Sequence, residues 1–190
     1  RKGSFFMRTG KTVWLIDAAY LFNAQRSLGN YNFDYLKLRN KLEERGDIDR
    51  VYYLNSSQNP PNDNQSAFHS WLKTARPNGP QFLVKLYKLK ESESTCPYCQ
   101  RNFTCQVQKG VDVGLATFIV KLAHQNSYDN LILSSGDGDL EDSVAHVKEF
   151  LYKRIELCVF KGGVSPDLQA YADYIYWIND FSKEVIKEKD

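Results

Sequence analysis

The chain is poor in several things. Its 190 residues include one methionine and three histidines. No apolar run approaches the ~20 residues of a membrane-spanning helix, and no secretory leader pattern is visible, so the expectation is a cytoplasmic protein without membrane contact. There is no Ser–His–Asp order, no Gly-rich phosphate loop and no dinucleotide fingerprint. His69, His124 and His146 fall on predicted helices without a nucleophile motif and read as surface or core-edge residues. Charge of one sign is also scarce. A net charge of +2 neither requires nor excludes nucleic acid, because binding needs a local patch that a global count does not show. Cysteine is limited to Cys96, Cys99, Cys105 and Cys158, the first three within ten residues. Without an export signal, that clustering points to metal or redox chemistry before a disulfide framework.

What is present is enough for a core. The hydrophobic fraction is 42% and the aromatic fraction 14%, which argues against disorder over most of the length. Residues 1–6, RKGSFF, read as a leftover of expression ahead of Met7, and residues 7–190 as one domain. Apolar runs alternate with helical patterns. TVWLID (12–17), RVYYLNSS (50–57), DNLILSS (129–135) and RIELCVF (154–160) read as buried strands. QFLVKLYKLK (81–90) reads as a strand with one wet face, and DYIYWI as a short last strand. Helices are expected over 18–29, 32–46, 64–75, 110–127 and 138–153, with a helical turn at SPDLQAYA and a charged terminal helix. The polar stretch 91–108 is an insertion or hairpin. Strands separated by helices imply a three-layer α/β/α sandwich on a mostly parallel central sheet, with a small cysteine-bearing insertion.

In such sheets ligands bind at the carboxyl ends of the strands. Asp17 ends one predicted strand, and Asp137 and Asp139, in SSGDGD, lie just past another. Clustered carboxylates repel unless something cancels them, and a hard divalent cation does so well. Bland readings stand beside this. Asp139 suits the cap of the following helix. Asp112, in the first turn of its helix, is favoured there by the helix dipole alone. Asp17 would be satisfied by a serine or a backbone N–H as well as by a metal.

The order and separation of VWLIDAAYLF, QKGVDVGLA and ILSSGDGDLEDSV resemble the NYN domains of the LabA-like group in the PIN nuclease superfamily, from about Thr12 to Trp177. That resemblance implies a PIN-like fold and an endoribonuclease acting on single-stranded RNA through Mg²⁺ or Mn²⁺. It assigns Asp17, Asp112, Asp137 and Asp139 as catalytic metal ligands, with Lys109, Ser135 and Tyr20 contacting substrate. The chain departs from the family pattern at Tyr20, near the place of a frequent Asn, and at Phe118, where relatives often carry Asp. Phe118 leaves open an alternative, a catalytically silent module that binds RNA or a protein partner.

The segment CPYCQRNFTC has its own readings. Cys96, Cys99 and Cys105 could hold a structural Zn²⁺, with His69 or water completing the set. Unbound thiols are the second reading. The third is redox chemistry, because CPYC looks like a glutaredoxin tetrapeptide. Lys85, Lys88 and Lys90 form either a wall for RNA or the wet face of an edge strand. YADYIYWI is aromatic enough for core or for a homodimer surface.

Overall fold

The computed structural model describes residues 7–27, 32–57, 62–95, 97–107 and 110–187. The run TVWLID forms β1 (Thr12–Asp17), buried at every position. That is the signature of a strand covered on both faces. Helices α1 (Ala18–Ser27) and α2 (Tyr35–Glu43) follow, then β2 (Arg50–Ser57), α3 (Asp63–Lys73) and β3 (Leu83–Lys88). Strands β4 (Lys90–Thr95) and β5 (Asn102–Val107) pair antiparallel as a separate hairpin. The chain continues through α4 (Val111–His124), β6 (Asn130–Ser134), a single 3-10 turn (Gly138–Leu140), α5 (Glu141–Glu149) and β7 (Arg154–Val159). It ends with α6 (Pro166–Tyr171), β8 (Tyr174–Trp177) and α7 (Ile178–Val185).

Six strands make one parallel sheet in the order β3-β2-β1-β6-β7-β8. The side-chain alternation of β1 sorts the helices into two layers. Trp14 and Ile16 point into a core shared with Leu21, Leu38 and Leu72 of α1, α2 and α3. Val13 and Leu15 point into the other, with Leu115 and Ile119 of α4, Val144 of α5 and Leu168 of α6. The result is the α/β/α sandwich expected from the sequence. The fully buried Trp14 indole is satisfied because its Nε1–H donates to Ser134 Oγ at 2.9 Å. Polar caps start several helices. Asp34 accepts from the Leu36 and Lys37 N–H groups, Asn62 from Gln65 N–H, and Ser165 from Leu168 N–H ahead of Pro166.

Three expectations are refined. The helix expected over 138–153 breaks at Leu140 into a 3-10 turn and α5, which ends at Glu149. The alternation expected of β3 is blurred because it is the sheet edge, with Leu83 and Leu86 both partly exposed beside Lys85 and Lys88. The aromatic tail divides. Tyr176 and Ile178 are core, while Tyr174 is partly exposed under the Arg45 guanidinium, 3.5 Å from its ring centroid. Among the described residues, no helix is long and apolar enough to cross a membrane.

A buried ionic cluster ties the segment before β1 to the sheet. Glu156 of β7 is fully buried, with Arg8 Nη1 3.8 Å and Arg154 Nε 3.4 Å from its carboxylate. The Tyr176 hydroxyl donates to Glu156 Oε2 at 3.0 Å. Arg8 also donates to the carbonyls of Leu42 and Gly46.

Candidate metal centre at the switch point of the sheet

The chain winds outward from β1 to β3 on one side and from β6 to β8 on the other. The reversal lies between β1 and β6, which are neighbours with Ile16 opposite Ser134. Loops leaving such a pair diverge to opposite faces and open a crevice at the carboxyl ends. Asp17 is the last residue of β1, and Ser135 follows the last residue of β6, so the pairing sets them side by side. The Ser135 hydroxyl donates to Asp17 Oδ2 at 3.5 Å and accepts from Asp137 N–H at 3.4 Å. The Tyr20 N–H donates to Asp17 Oδ1 at 3.0 Å, so Asp17 also caps α1.

Asp17 is 7% exposed. Burial raises its pKa, and the charge of Asp112 pushes the same way, against the lowering effect of the Tyr20 and Ala19 N–H groups and Ser135. Among the described residues no basic side chain offsets this. Asp112 is exposed in the first turn of α4, which starts after Gly110 at a left-handed φ of 95°. Buried Val111 fixes that turn against the sheet. Asp137 is exposed beyond β6. All three carboxylates line one recess of about 510 Å³, with Ser135, Tyr20, Asn23, Gly162 and Gly163.

Asp139 stands apart from the lining. Its N–H donates to Asp137 Oδ1 at 3.0 Å, so Asp137 caps the 3-10 turn, the role expected of Asp139. No side chain caps α5. The short turn brings the next N–H back onto the first acid, and a regular helix starting there would not. Ser135 is fully buried, with its hydroxyl engaged by Asp17. Tyr20 lines the recess while its hydroxyl accepts from Phe160 N–H at 3.1 Å. Burial pushes its pKa up to about 12, so it stays a phenol at neutral pH. Asn23 and the Gly162–Gly163 loop were not singled out from sequence. Asn23 carried a usable signal, because Tyr20, Asn23 and Ser27 fall on one helical stripe.

Gly136 closes the floor. A Cβ there would lie 1.9 Å from the Gly163 carbonyl oxygen and 2.7 Å from the Tyr20 ring. Its own carbonyl accepts from Ser165 N–H at 3.0 Å. Gly136→Ala must therefore push the 162–165 loop off the end of β6. It is expected to cost about 1–3 kcal/mol, the range for overpacking, and to disturb the recess. Thermal melting of the variant measures the cost, and an unchanged melting temperature would contradict the close approach.

Lys109 and Cys96 lie outside the described residues, as does the side chain of Cys105. Cys99 is an exposed free thiol, and Cys158 is buried in β7 with its pKa pushed up to about 12 by burial. His69 is buried on α3 beside Tyr53 and Phe68. Phe118, at the place of the family aspartate, packs its ring 4.9 Å from that of Tyr52.

Among the described residues, no three acidic, histidine or cysteine side chains converge closely enough to enclose a metal ion. The donor set nevertheless suits Mg²⁺ or Mn²⁺. It is all oxygen, it includes a buried carboxylate whose pKa burial raises, and a small hard ion binds through one or two carboxylates while keeping several waters.

A family model described as the NYN domain matches residues 11–179. No curated protein matches significantly. Among solved structures, the crystal structure of a protein of unknown function from Vibrio parahaemolyticus superposes with a TM-score of 0.70. The match covers 95% of this chain and 100% of that one at 23% identity, a likeness of fold.

Proposed function

The chain belongs to the NYN domain family of the PIN-like nuclease superfamily, and from that premise we propose that it is a metal-dependent endoribonuclease. Its site is the recess at the β1/β6 switch point, and its substrate is single-stranded RNA. The observation that carries this reading is that Asp17, Asp112 and Asp137 line one recess, with Asp17 buried and its pKa raised by that burial.

Asp17, Asp112 and Asp137 would hold the Mg²⁺ or Mn²⁺. What a bound ion supplies is acidification of a water and neutralisation of phosphate charge. The chain's own residues supply position. Tyr20 N–H and the Ser135 hydroxyl fix the Asp17 carboxylate on both oxygens. Ser135 also holds the Asp137 backbone, so one hydroxyl couples two of the three ligands. Asp139 acts through its N–H, which orients the Asp137 side chain. Phe118 packs on Tyr52 and is absent from the recess lining. An acid there would not extend the ligand set, and that favours the enzyme over the silent module.

The test is cleavage of end-labelled single-stranded RNA with Mn²⁺ or Mg²⁺, against EDTA and against Asp137→Asn. Cutting that needs the metal and falls about 10²-fold or more in the variant is expected, the scale of losing a charge-stabilising group. A folded wild-type protein that cuts none of several RNA and DNA strands would point instead to the silent binding module.

A further inference from the structure

A larger recess abuts the acidic one. It encloses about 930 Å³ between α1 and α3, and Ala19 and Asn23 line both. Those two residues span about 6 Å of helix, within reach of a single nucleotide. The chemistry of the two recesses differs. Where the first gathers three carboxylates, the second is close to neutral. Its carboxylate, Asp34, is taken up by capping α2. His69 on its wall has its pKa lowered, chiefly by burial, which favours the uncharged imidazole. The wall is aromatic. Phe68 and Trp71 of α3 lie stacked with centroids 6.0 Å apart, and Phe22 of α1 is 51% exposed. At the carboxyl end of β2, Asn55 offers an amide, and the buried Ser56 hydroxyl has no hydrogen-bond partner among the described residues.

We propose that this cleft receives an unpaired nucleobase of the strand whose phosphodiester lies in the acidic recess. The position of that phosphodiester rests on the nuclease reading. The capping carboxylate of Asp34 and the exposed ammonium of Lys187 leave the lining without net charge, which suits a base better than a phosphate. Aromatic faces provide stacking that every base can use. An amide and a hydroxyl can answer the base edge, the part of a nucleotide that only an unpaired strand presents freely. The volume lies in the range of small-molecule sites and exceeds what a phosphate needs. On this geometry, preference for single strands comes from a base that must leave its partner to enter the cleft.

The experiment uses a short single-stranded RNA carrying one 2-aminopurine, titrated with the protein in EDTA so that binding is read without cleavage. Stacking is expected to quench the probe several-fold, and the same strand annealed to its complement is expected to keep its emission. Phe22→Ala and Trp71→Ala should each relieve the quenching and weaken binding about tenfold, the scale of losing one stacking platform. If Trp71→Ala does not fold, Phe22→Ala at an exposed position decides alone. Undiminished emission with the wild type, or equal quenching by the variants or in the duplex, overturns the inference. Mn²⁺-dependent cutting without quenching sinks the cleft and leaves the nuclease. Quenching relieved by the variants without any cutting keeps the cleft and sinks the nuclease.

Discussion

Asp17→Asn is expected to make the protein harder to melt while removing its cleavage of RNA. The side chain is nearly inaccessible, its charge faces that of Asp112, and burial raises its pKa. Asparagine keeps an oxygen for the Tyr20 and Ala19 N–H groups and offers an amide N–H to Ser135, so the contacts of the carboxylate have replacements. What disappears is the buried charge. The sign follows from proton linkage. An acid whose folded pKa lies above its unfolded value binds its proton more tightly in the native state. Stability is then highest below the unfolded pKa and declines as pH rises through the folded one. At neutral pH the wild type bears that penalty and the variant does not. The gain is expected to be on the order of 1 kcal/mol, as for other relieved active-site strain, or roughly 2–4 °C in a chain of this size. It should shrink as pH falls into the carboxylate range. Mn²⁺ should reverse the order, because a ligand of the native state alone raises the wild type's melting temperature, whereas the variant lacks the charge that binds it. Thermal melts with and without Mn²⁺ measure this independently of cleavage. A variant that melts lower than wild type in EDTA at neutral pH would contradict a strained, cation-seeking carboxylate.

How much of this was legible in the sequence depends on whether the determinant is local. TVWLID and RVYYLNSS announce strands because a run buried on both faces leaves a continuous apolar signature, and both are seen at the expected residues. The hairpin of β4 and β5 also lies where the polar insertion was expected. The adjacency of β1 and β6 was not legible, since the partners are more than a hundred residues apart and parallel pairing leaves no turn motif to mark it. That adjacency makes a site of Asp17 and Ser135. The division of labour in SSGDGD was hidden for a different reason. Asp137 and Asp139 are chemically equivalent in sequence, and the 3-10 turn alone decides that the first accepts the N–H of the second. The aromatic cleft was missed because the sequence marks Phe68 and Trp71 only as apolar positions three apart in the helix expected over 64–75. Both are in fact only partly buried, and their spacing cannot tell a core-facing ring from a cleft-facing one.

The largest stability effect is expected far from the site, at Glu156. Its carboxylate is buried between Arg8 and Arg154, and it also accepts from the Tyr176 hydroxyl. A buried pair as such adds little net stability, because desolvation offsets the attraction. Removing one partner is different, since the remaining charge stays buried without its counter-ion. Arg8 cannot easily escape, because its guanidinium also donates to the Leu42 and Gly46 carbonyls, and its main chain donates to Arg45. Glu156→Leu is therefore expected to cost about 3–5 kcal/mol, a drop of roughly 6–20 °C. Glu156→Gln should cost less, because it keeps an acceptor for Tyr176. Adding Arg8→Met to Glu156→Leu should recover part of the loss, so the double variant is expected to be more stable than the sum of the single changes predicts. The recovery is only partial because the two carbonyls lose their donor. Glu156 opposes Ile132 in the middle of β6, well short of the strand ends that carry Asp17 and Ser135. Cleavage per folded molecule should consequently be unchanged in Glu156→Gln, even as its melting temperature falls. Strictly additive losses at positions 8 and 156 would show that the two residues act separately and that the cluster does not lock the segment before β1 onto the sheet.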